Sequence, residues 1–421
     1  MQSSIKLRLT VMNFLQFAVW GAYLTSMGRY LGTAGFGSEI GNFYAMQGLV
    51  SLFMPALMGI VADRWIPAQR LLGLCHTLAG MLMLGVFLYT QTDTPSYPTL
   101  FALYSLSVAF YMPTLALSNS VAYTSLDQAG LDLVKSFPPI RVFGTVGFIC
   151  TMIAVSLLGL EATSGQFAVS AIISLVLAVY AQTLPNCPTA PKGQSKSLVE
   201  ALGLRAFVLF KQRKMALFFI FSMLLGVSLQ ITNGFANPFI STFGEIPAYA
   251  DTFGVKYANI LISLSQLSET LCILLIPFAL RRFGIRRVML IAMVAWVLRF
   301  AFLGLGNPGS GVWLFLLSMI VYGVAFDFFN VSGSLFVDKE TDPSIRSSAQ
   351  GLFMIMTNGI GATLGSLGAQ AVINRFVYSQ SDTTAILAGW TTSWYIFAAY
   401  AAVVAVLFAL LFRYNTATEA K

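Results

Sequence analysis

Long apolar runs, each about the length that a helix needs to cross a bilayer, recur along this whole sequence. A bilayer core of about 30 Å requires roughly 20 apolar residues in a helix. Hydrophobic residues make up 57% of the 421 residues and charged residues 10%, which is not typical of a soluble domain. The runs are too long and too continuous for the strands of a membrane barrel. The sequence therefore predicts an all-α polytopic membrane protein.

Twelve transmembrane helices can be placed on these runs. We expect them near residues 8–31, 41–63, 71–91, 98–124, 139–159, 165–185, 215–243, 256–280, 284–305, 311–337, 346–376 and 390–412. Six precede and six follow a polar stretch that is rich in proline, lysine and arginine. The predicted organisation is two six-helix bundles with a linker and a tail: 1–185, 186–214 as a cytoplasmic linker with a short interfacial helix at 202–210, 215–412, and 413–421 as a cytoplasmic tail.

The basic residues predict the orientation in the membrane. With the N-terminus inside, most lysines and arginines lie on the cytoplasmic side, and the opposite side receives Arg29, Lys256 and Arg375. Both termini are therefore expected in the cytoplasm. The formal net charge of +8 follows from these cytoplasmic loops, so it does not indicate a nucleic-acid partner. The expected partners are the lipid bilayer, a small solute and protons, and we expect a functional monomer.

Few residues of this sequence are suited to metal or catalytic chemistry. The four cysteines show no paired spacing, so no disulfide framework, metal site or cofactor is predicted. His76, the only histidine, lies in the third span, where we expect it to form a hydrogen bond between helices. No H-E-x-x-H or G-x-S-x-G motif occurs, so the chain is not predicted to be an enzyme.

Two acidic residues lie in the middle of predicted spans: Glu269 in the eighth and Asp327 in the tenth. An ionised carboxylate at mid-bilayer costs at least ~2.5–3.5 kcal/mol, so such a residue is a functional candidate by default. Burial favours the protonated form of a carboxyl group, which would let these residues take up and release a proton. The alternative is that they only fasten two helices together.

Polar and aromatic residues accompany these acids at helical spacing. The C-terminal half contributes Gln230, Thr232, Asn233, Asn237, Gln266, Tyr322, Phe326 and Asn330, with Pro238 expected to kink the seventh span. In the fifth span, Arg141, Thr145 and Phe148 follow a pair of prolines at one-turn intervals, and Arg141 is either a topogenic cation or a buried partner for a carboxylate. Amides bind hydroxyls and heterocycle edges, and aromatic faces stack on planar rings, so the set predicts a pocket for a sugar, a nucleobase or both.

Several other features have a structural interpretation. Arg299 is expected near the end of the ninth span with its charge extended to the membrane surface. Gly359, Gly361, Gly365 and Gly368 in the eleventh span are expected to permit close helix packing. The segment Gly59–Arg64 followed by Arg70 resembles the loop motif of the major facilitator superfamily, although the arginine pair of that motif is missing. The resemblance implies two bundles of six helices and gating roles for Asp63 and Arg64; the alternative is that both are topogenic charges.

A second resemblance covers the whole chain. Six segments are similar to the nucleoside:proton symporter family of enteric bacteria: Asn13–Phe17, Trp20–Gly21, Phe137–Arg141, Leu229–Asn233, Ser265–Glu269 and Tyr322–Asn330. The resemblance implies import of purine and pyrimidine nucleosides, or of xanthosine, across the bacterial inner membrane. It implies that substrate is bound by Arg141, Thr145, Phe148, Gln230, Asn233, Gln266, Glu269, Tyr322, Phe326 and Asp327.

Other cargo remains open at this point: two buried acids and a polar pocket would also suit a sugar transporter or a proton-coupled exporter of cationic drugs. For proton coupling, Asp327 is the first candidate and Glu269 the second.

Overall fold

The computed structural model describes residues 2–189, 204–343 and 345–414. The described residues form helices and no strands, and many of these helices are long and apolar. This confirms the predicted all-α polytopic membrane fold. The greater part of the predicted linker and the end of the tail, residues 190–203 and 415–421, lie outside the described residues.

The first six predicted spans correspond to eight helical segments. The first span is divided into Gln2–Gly21 and Met27–Thr33, and the second into Ile40–Ser51 and Met54–Arg64. Pro55 lies at the beginning of the segment Met54–Arg64. It has no backbone N–H to donate, which suits a helix start. The next four spans are Ala68–Tyr89, Tyr97–Gln128, Leu133–Leu157 and Gly165–Ala181.

The C-terminal half begins with a short 3-10 helix at Leu204–Lys211, where the sequence predicts a short helix. The seventh span consists of Arg213–Leu229 and Ile231–Thr242. A continuous run of helix, Ala258–Leu305, contains the eighth and ninth spans, which are separated at Gly284 by a backbone with φ of 76°. The tenth span is Val312–Glu340, and the twelfth is Thr383–Leu411.

The eleventh span changes its helical geometry along its length. It begins as the α-helix Arg346–Met354, becomes π-helical over Ile355–Gly361, returns to α-helix over Ala362–Ile373, and ends as the π-helical turn Asn374–Tyr378. Such π-helical turns are rare in proteins and are frequent at functional sites.

Nine helices of the described chain are long and apolar enough to cross a membrane. Three further crossings complete the predicted twelve. Ala258–Leu305 is too long for one crossing and has a break that separates two of them, Gly165–Ala181 is apolar but shorter, and the first span is interrupted between its two segments. Each predicted span therefore has a helical counterpart.

Contacts divide the chain into two compact units. The first unit contains Met1–Phe36 and Met46–Leu202, and the second contains Gly37–Ala45 and Gly203–Lys421. The segment Gly37–Ala45 belongs to the second unit because it is hydrogen-bonded to the eleventh span. Gln370 Nε2 donates to the Gly37 carbonyl at 3.0 Å, and Asn374 Nδ2 donates to the Ser38 carbonyl at 3.2 Å.

Within the first unit, His76 joins three helices through hydrogen bonds. Its Nδ1 lies 2.9 Å from Ser174 Oγ, and its Nε2 lies 2.9 Å from Gln16 Oε1. Gln16 in turn donates from Nε2 to Thr114 Oγ1 at 2.7 Å. The prediction that His76 forms a hydrogen bond between helices is confirmed. Pairing of this kind offsets the cost of placing polar groups in an apolar interior.

An ion pair connects the first span of this unit to the loop that precedes the sixth span. Arg29 Nη1 lies 3.3 Å from Glu161 Oε2, and the Glu161 side chain is only 4% exposed. Ser156 Oγ donates to the other oxygen of the same carboxylate, so both oxygens are hydrogen-bonded. Loss of one partner would leave a poorly solvated charge without compensation.

Glycines let the seventh and eleventh spans of the second unit approach closely. A Cβ atom at Gly361 would collide with the Met223 carbonyl oxygen, and one at Gly365 with the Val227 carbonyl oxygen. The predicted packing role is confirmed at these two positions. A Cβ atom at Gly368 would meet no heavy atom within 4 Å, so the prediction is wrong there.

We expect Gly365→Ala to destabilise the protein because the added methyl group would force two helix backbones apart. Overpacking of this kind costs about 1–3 kcal/mol. The matched control is Gly368→Ala, one turn along the same helix, which should be neutral or slightly stabilising because alanine favours helix. Thermal unfolding of the purified variants measures the difference; equal melting temperatures would contradict the close packing.

We expect Glu161→Gln to lower the free energy of unfolding by about 1–3 kcal/mol. This cost is larger than that of losing an exposed ion pair and smaller than that of losing one partner of a fully buried pair. The control is Asp251→Asn, which removes the exposed pair with Lys256 at 2.8 Å and should have little effect. Thermal unfolding in detergent checks both variants, and an effect of Glu161→Gln no larger than that of the control would contradict the role of the pair.

Candidate functional site

In the first unit, the fifth span presents three predicted site residues on one face. Arg141 and Thr145 are half-buried and Phe148 is 6% exposed. The glycines between them pack against the first span: Cβ atoms at Gly144 and Gly147 would collide with Phe17 and with the Phe14 carbonyl oxygen. Close contact with the first span therefore sets the rotation of the helix that carries the site residues.

Aromatic residues surround this face of the fifth span. The guanidinium carbon of Arg141 lies 4.0 Å from the centroid of the Phe17 ring, a cation–π arrangement. Phe148 meets Trp20 edge to face, with ring centroids 6.3 Å apart. Arg141 is also within electrostatic reach of the Tyr111 hydroxyl. Arg141 is thus held among aromatic rings of its own unit.

In the second unit, the seventh span is interrupted at Gln230, between its two helical segments. Gln230 Oε1 accepts a hydrogen bond of 2.9 Å from Asn233 Nδ2, so these two predicted site residues are directly connected. The sequence predicts a kink at Pro238, which lies inside the second segment. The interruption lies two turns earlier than Pro238, where the amide side chains of Gln230 and Asn233 bind each other.

The eighth and tenth spans approach closely at Gly323, where a Cβ atom would collide with the Ser268 carbonyl oxygen. Glu269 follows Ser268, and Asp327 lies one turn beyond Gly323. Glu269 and Asp327 are consequently within electrostatic reach of each other. The two acids that the sequence placed in separate spans belong to one polar site.

Two buried oxygens of this site have no hydrogen-bond partner among the residues that the structure describes: Gln266 Oε1 and Asp327 Oδ2. Gln266 is 9% exposed and Asp327 is 5% exposed. A buried acceptor without a donor is costly, so these oxygens are suited to a donor that arrives with a ligand or a proton.

The aromatic residues of the tenth span form a stacked pair. The rings of Tyr322 and Phe326 are 5.6 Å apart at an interplanar angle of 10°, and Trp296 meets Tyr322 edge to face at 5.9 Å. Phe326, Trp296 and Asn330 also line a small cavity that extends to the seventh and eleventh spans. The cavity shows which faces of these helices are incompletely packed.

Arg299 occupies a position that the sequence prediction missed. The prediction that its charge reaches the membrane surface is wrong, because Arg299 is 2% exposed and lies 4.4 Å above the Tyr322 ring. The sequence does contain a signal, because a cation within an apolar run is a functional candidate. Arg299 lies closer to one end of its predicted span, which favoured a charge that extends to the membrane surface. Only the packing of the helices shows that the side chain turns inward.

The structure therefore brings together Glu269 and Asp327 of the eighth and tenth spans, and it pairs Gln230 with Asn233 within the seventh span. The three residues of the first unit share one face of the fifth span. Asp63 and Arg64 are the last residues of the helical segment Met54–Arg64, and their gating role stays a prediction.

Comparison with known proteins places this chain in a family. A family model described as Nucleoside H+ symporter matches residues 3–417. The xanthosine permease of Escherichia coli (strain K12) is 51% identical over 416 residues, which cover 98% of this chain and 97% of that protein. The nucleoside permease NupG of the same strain is 47% identical over 415 residues, with 98% and 97% covered.

A solved structure agrees with these matches. The crystal structure of the nucleoside transporter NupG has a TM-score of 0.89 and 46% sequence identity, and the match covers 98% of this chain and 100% of that chain. Family model, sequence relatives and fold all agree over nearly the full length, and this chain belongs to the nucleoside H+ symporter family.

Proposed function

We propose that this protein imports nucleosides across the bacterial inner membrane together with protons, by alternating access. The observation that carries the proposal is the site of the second unit, where two neighbouring acids accompany amide and aromatic side chains. Membership of the nucleoside H+ symporter family supports the same function. The relatives described as xanthosine permease and nucleoside permease support a nucleoside as the solute.

The amide groups are suited to the polar parts of a nucleoside. Gln230, Asn233 and Gln266 can donate to and accept from ribose hydroxyls and base edges. The free acceptor Gln266 Oε1 would gain a partner when a hydroxyl or an amine of the substrate binds. We assign Glu269 to the substrate as well, as an acceptor for ribose hydroxyl groups.

The aromatic groups are suited to the planar base. Stacking of a base on an aromatic ring contributes about 1–3 kcal/mol and accepts both purines and pyrimidines. Phe326 and Tyr322 would supply this surface in the second unit. From the first unit, Phe148 would contact the base, and Arg141 and Thr145 would add polar contacts.

The acid pair is suited to carrying the proton. Two negative charges within reach of each other in an apolar site repel strongly, and a bound proton removes that repulsion. We assign the proton to Asp327 because it is the more buried of the two acids and has an oxygen without a partner in the described part of the chain. One charge that crosses about 100 mV supplies about 2.3 kcal/mol, enough for roughly fifty-fold accumulation of a neutral solute.

The finer features of the transporter belong to the same proposal. They are a 6+6 arrangement of bundles at 1–185 and 215–412, cytoplasmic termini, gating by Asp63 and Arg64, and function as a monomer within the lipid bilayer. The distribution of lysine and arginine supports the orientation.

We expect Asp327→Asn to abolish nucleoside accumulation driven by a pH gradient, because the variant lacks the group that binds the proton. Exchange of nucleoside across proteoliposomes without a gradient should continue. Glu269→Gln should instead raise the KM for nucleoside at least about tenfold, because a hydrogen bond to a charged group contributes about 1.5–3 kcal/mol. Uptake of labelled uridine and adenosine, with and without an uncoupler, measures these effects.

The matched control is Asp338→Asn, on the same helix as Asp327, which removes an exposed ion pair with Arg346 at 3.2 Å. This variant should accumulate nucleoside as the parent protein does. Undiminished gradient-driven accumulation by Asp327→Asn would remove Asp327 from the coupling mechanism.

We expect purine and pyrimidine nucleosides to compete with one another for uptake, because stacking does not distinguish them strongly. Free ribose lacks a base and lipophilic cations lack hydroxyl groups, so neither should compete. A competition panel at two external pH values measures this selectivity. Inhibition by ribose or by lipophilic cations at concentrations similar to those of nucleosides would favour a sugar transporter or a drug exporter.

A further inference from the structure

Arg299 is a buried cation to which the proposed transport mechanism assigns no role. Its guanidinium group donates three hydrogen bonds to three other spans: Nη2 to Thr232 Oγ1 at 3.1 Å, and Nη1 to Ser265 Oγ at 3.3 Å and to the Ser318 carbonyl at 2.8 Å. The described chain contains no carboxylate within ion-pair distance of it. A charge placed in the membrane interior with neutral partners is costly, which indicates a function.

Each residue whose oxygen accepts a hydrogen bond from Arg299 lies next to, or one turn from, a residue assigned to the substrate. Thr232 precedes Asn233 in the seventh span, and Ser265 precedes Gln266 in the eighth. Ser318 lies one turn before Tyr322 in the tenth span, and the guanidinium group also covers the Tyr322 ring. One side chain is therefore connected to all three helices that carry the substrate residues of the second unit.

The interruption of the seventh span makes this connection important. Because the helix is broken at Gln230, the segment Ile231–Thr242 is not aligned by continuous backbone hydrogen bonds with Arg213–Leu229. The bond from Arg299 to Thr232 holds the second residue of the new segment. It thereby orients Asn233, which projects from the next position.

We infer that Arg299 is a positioning residue for nucleoside binding, which holds Asn233, Gln266 and Tyr322 in the arrangement that binds the substrate. This inference rests on the proposed nucleoside transport. Arginine suits the role because its planar group donates in several fixed directions, whereas a lysine ammonium is a compact charge on a flexible stem. Preorganised contacts of this kind increase affinity by reducing the ordering that binding requires.

The first test is the kinetics of nucleoside uptake by Arg299→Gln and Arg299→Lys in proteoliposomes, corrected for the amount of folded transporter. Arg299→Gln should raise the KM for uridine at least tenfold and change the maximal rate per folded molecule less than about twofold. Arg299→Lys keeps the charge but not the planar fork, so its KM should lie between those of Arg299→Gln and the parent protein. Arg375→Gln, at an exposed arginine of the same unit, is the control.

Single hydrogen bonds can be removed with Arg299 in place, which keeps the inference testable if Arg299→Gln does not fold. Ser265→Ala and Thr232→Val each delete one partner and should raise the KM about threefold. Ser263→Ala is the matched control, because the Ser263 hydroxyl donates to the Ile260 carbonyl of its own helix at 2.7 Å. It should leave the KM unchanged.

The outcomes separate this inference from the proposed function. Saturable nucleoside uptake by the parent protein, with an unchanged KM in Ser265→Ala, Thr232→Val and any folded Arg299 variant, would overturn the positioning role alone. Loss of folded protein together with a normal KM would assign Arg299 to stability and would also overturn it. Absence of saturable nucleoside uptake by the parent protein would overturn the proposed function and this inference together.

Discussion

The absence of water from the bilayer core is the constraint on which the rest of this structure depends. Backbone groups must be satisfied within each spanning segment, so the chain crosses as helices. Side-chain polar groups must also find partners inside the protein. The buried contacts of His76 with Gln16 and Ser174, and the pair between Arg29 and Glu161, show this requirement in the first unit. Positions where partners are missing are therefore informative.

The second unit contains the unusual features on its seventh to tenth spans. It contains the interruption at Gln230, the acceptors Gln266 Oε1 and Asp327 Oδ2, and the buried cation Arg299. Close helix contact at Gly323 brings Glu269 and Asp327 within electrostatic reach of each other, and the hydrogen bonds of Arg299 connect the same helices. Stability alone would favour apolar residues in these places. The proposed binding of a nucleoside and of a proton would account for their presence.

The two units carry different chemistry. In the first, tight packing of Gly144 and Gly147 against the first span sets the face with Arg141, Thr145 and Phe148. Aromatic rings surround that face, and Arg141 supplies its positive charge. In the second, amides and acids predominate. A nucleoside has an aromatic base and a polar ribose, so the residues proposed to bind it include both aromatic and polar side chains.

The sequence by itself determined the class of fold, because apolar runs of membrane length leave few alternatives, and it indicated Glu269 and Asp327, because charges inside such runs are rare. Tertiary structure decided three other matters. The seventh span is interrupted at Gln230, Gly368 has space beside it where Gly365 has none, and Arg299 turns inward toward Thr232, Ser265 and Ser318. Helical periodicity gives each residue an angle on its own helix, but the neighbour that this angle faces depends on how the helices pack.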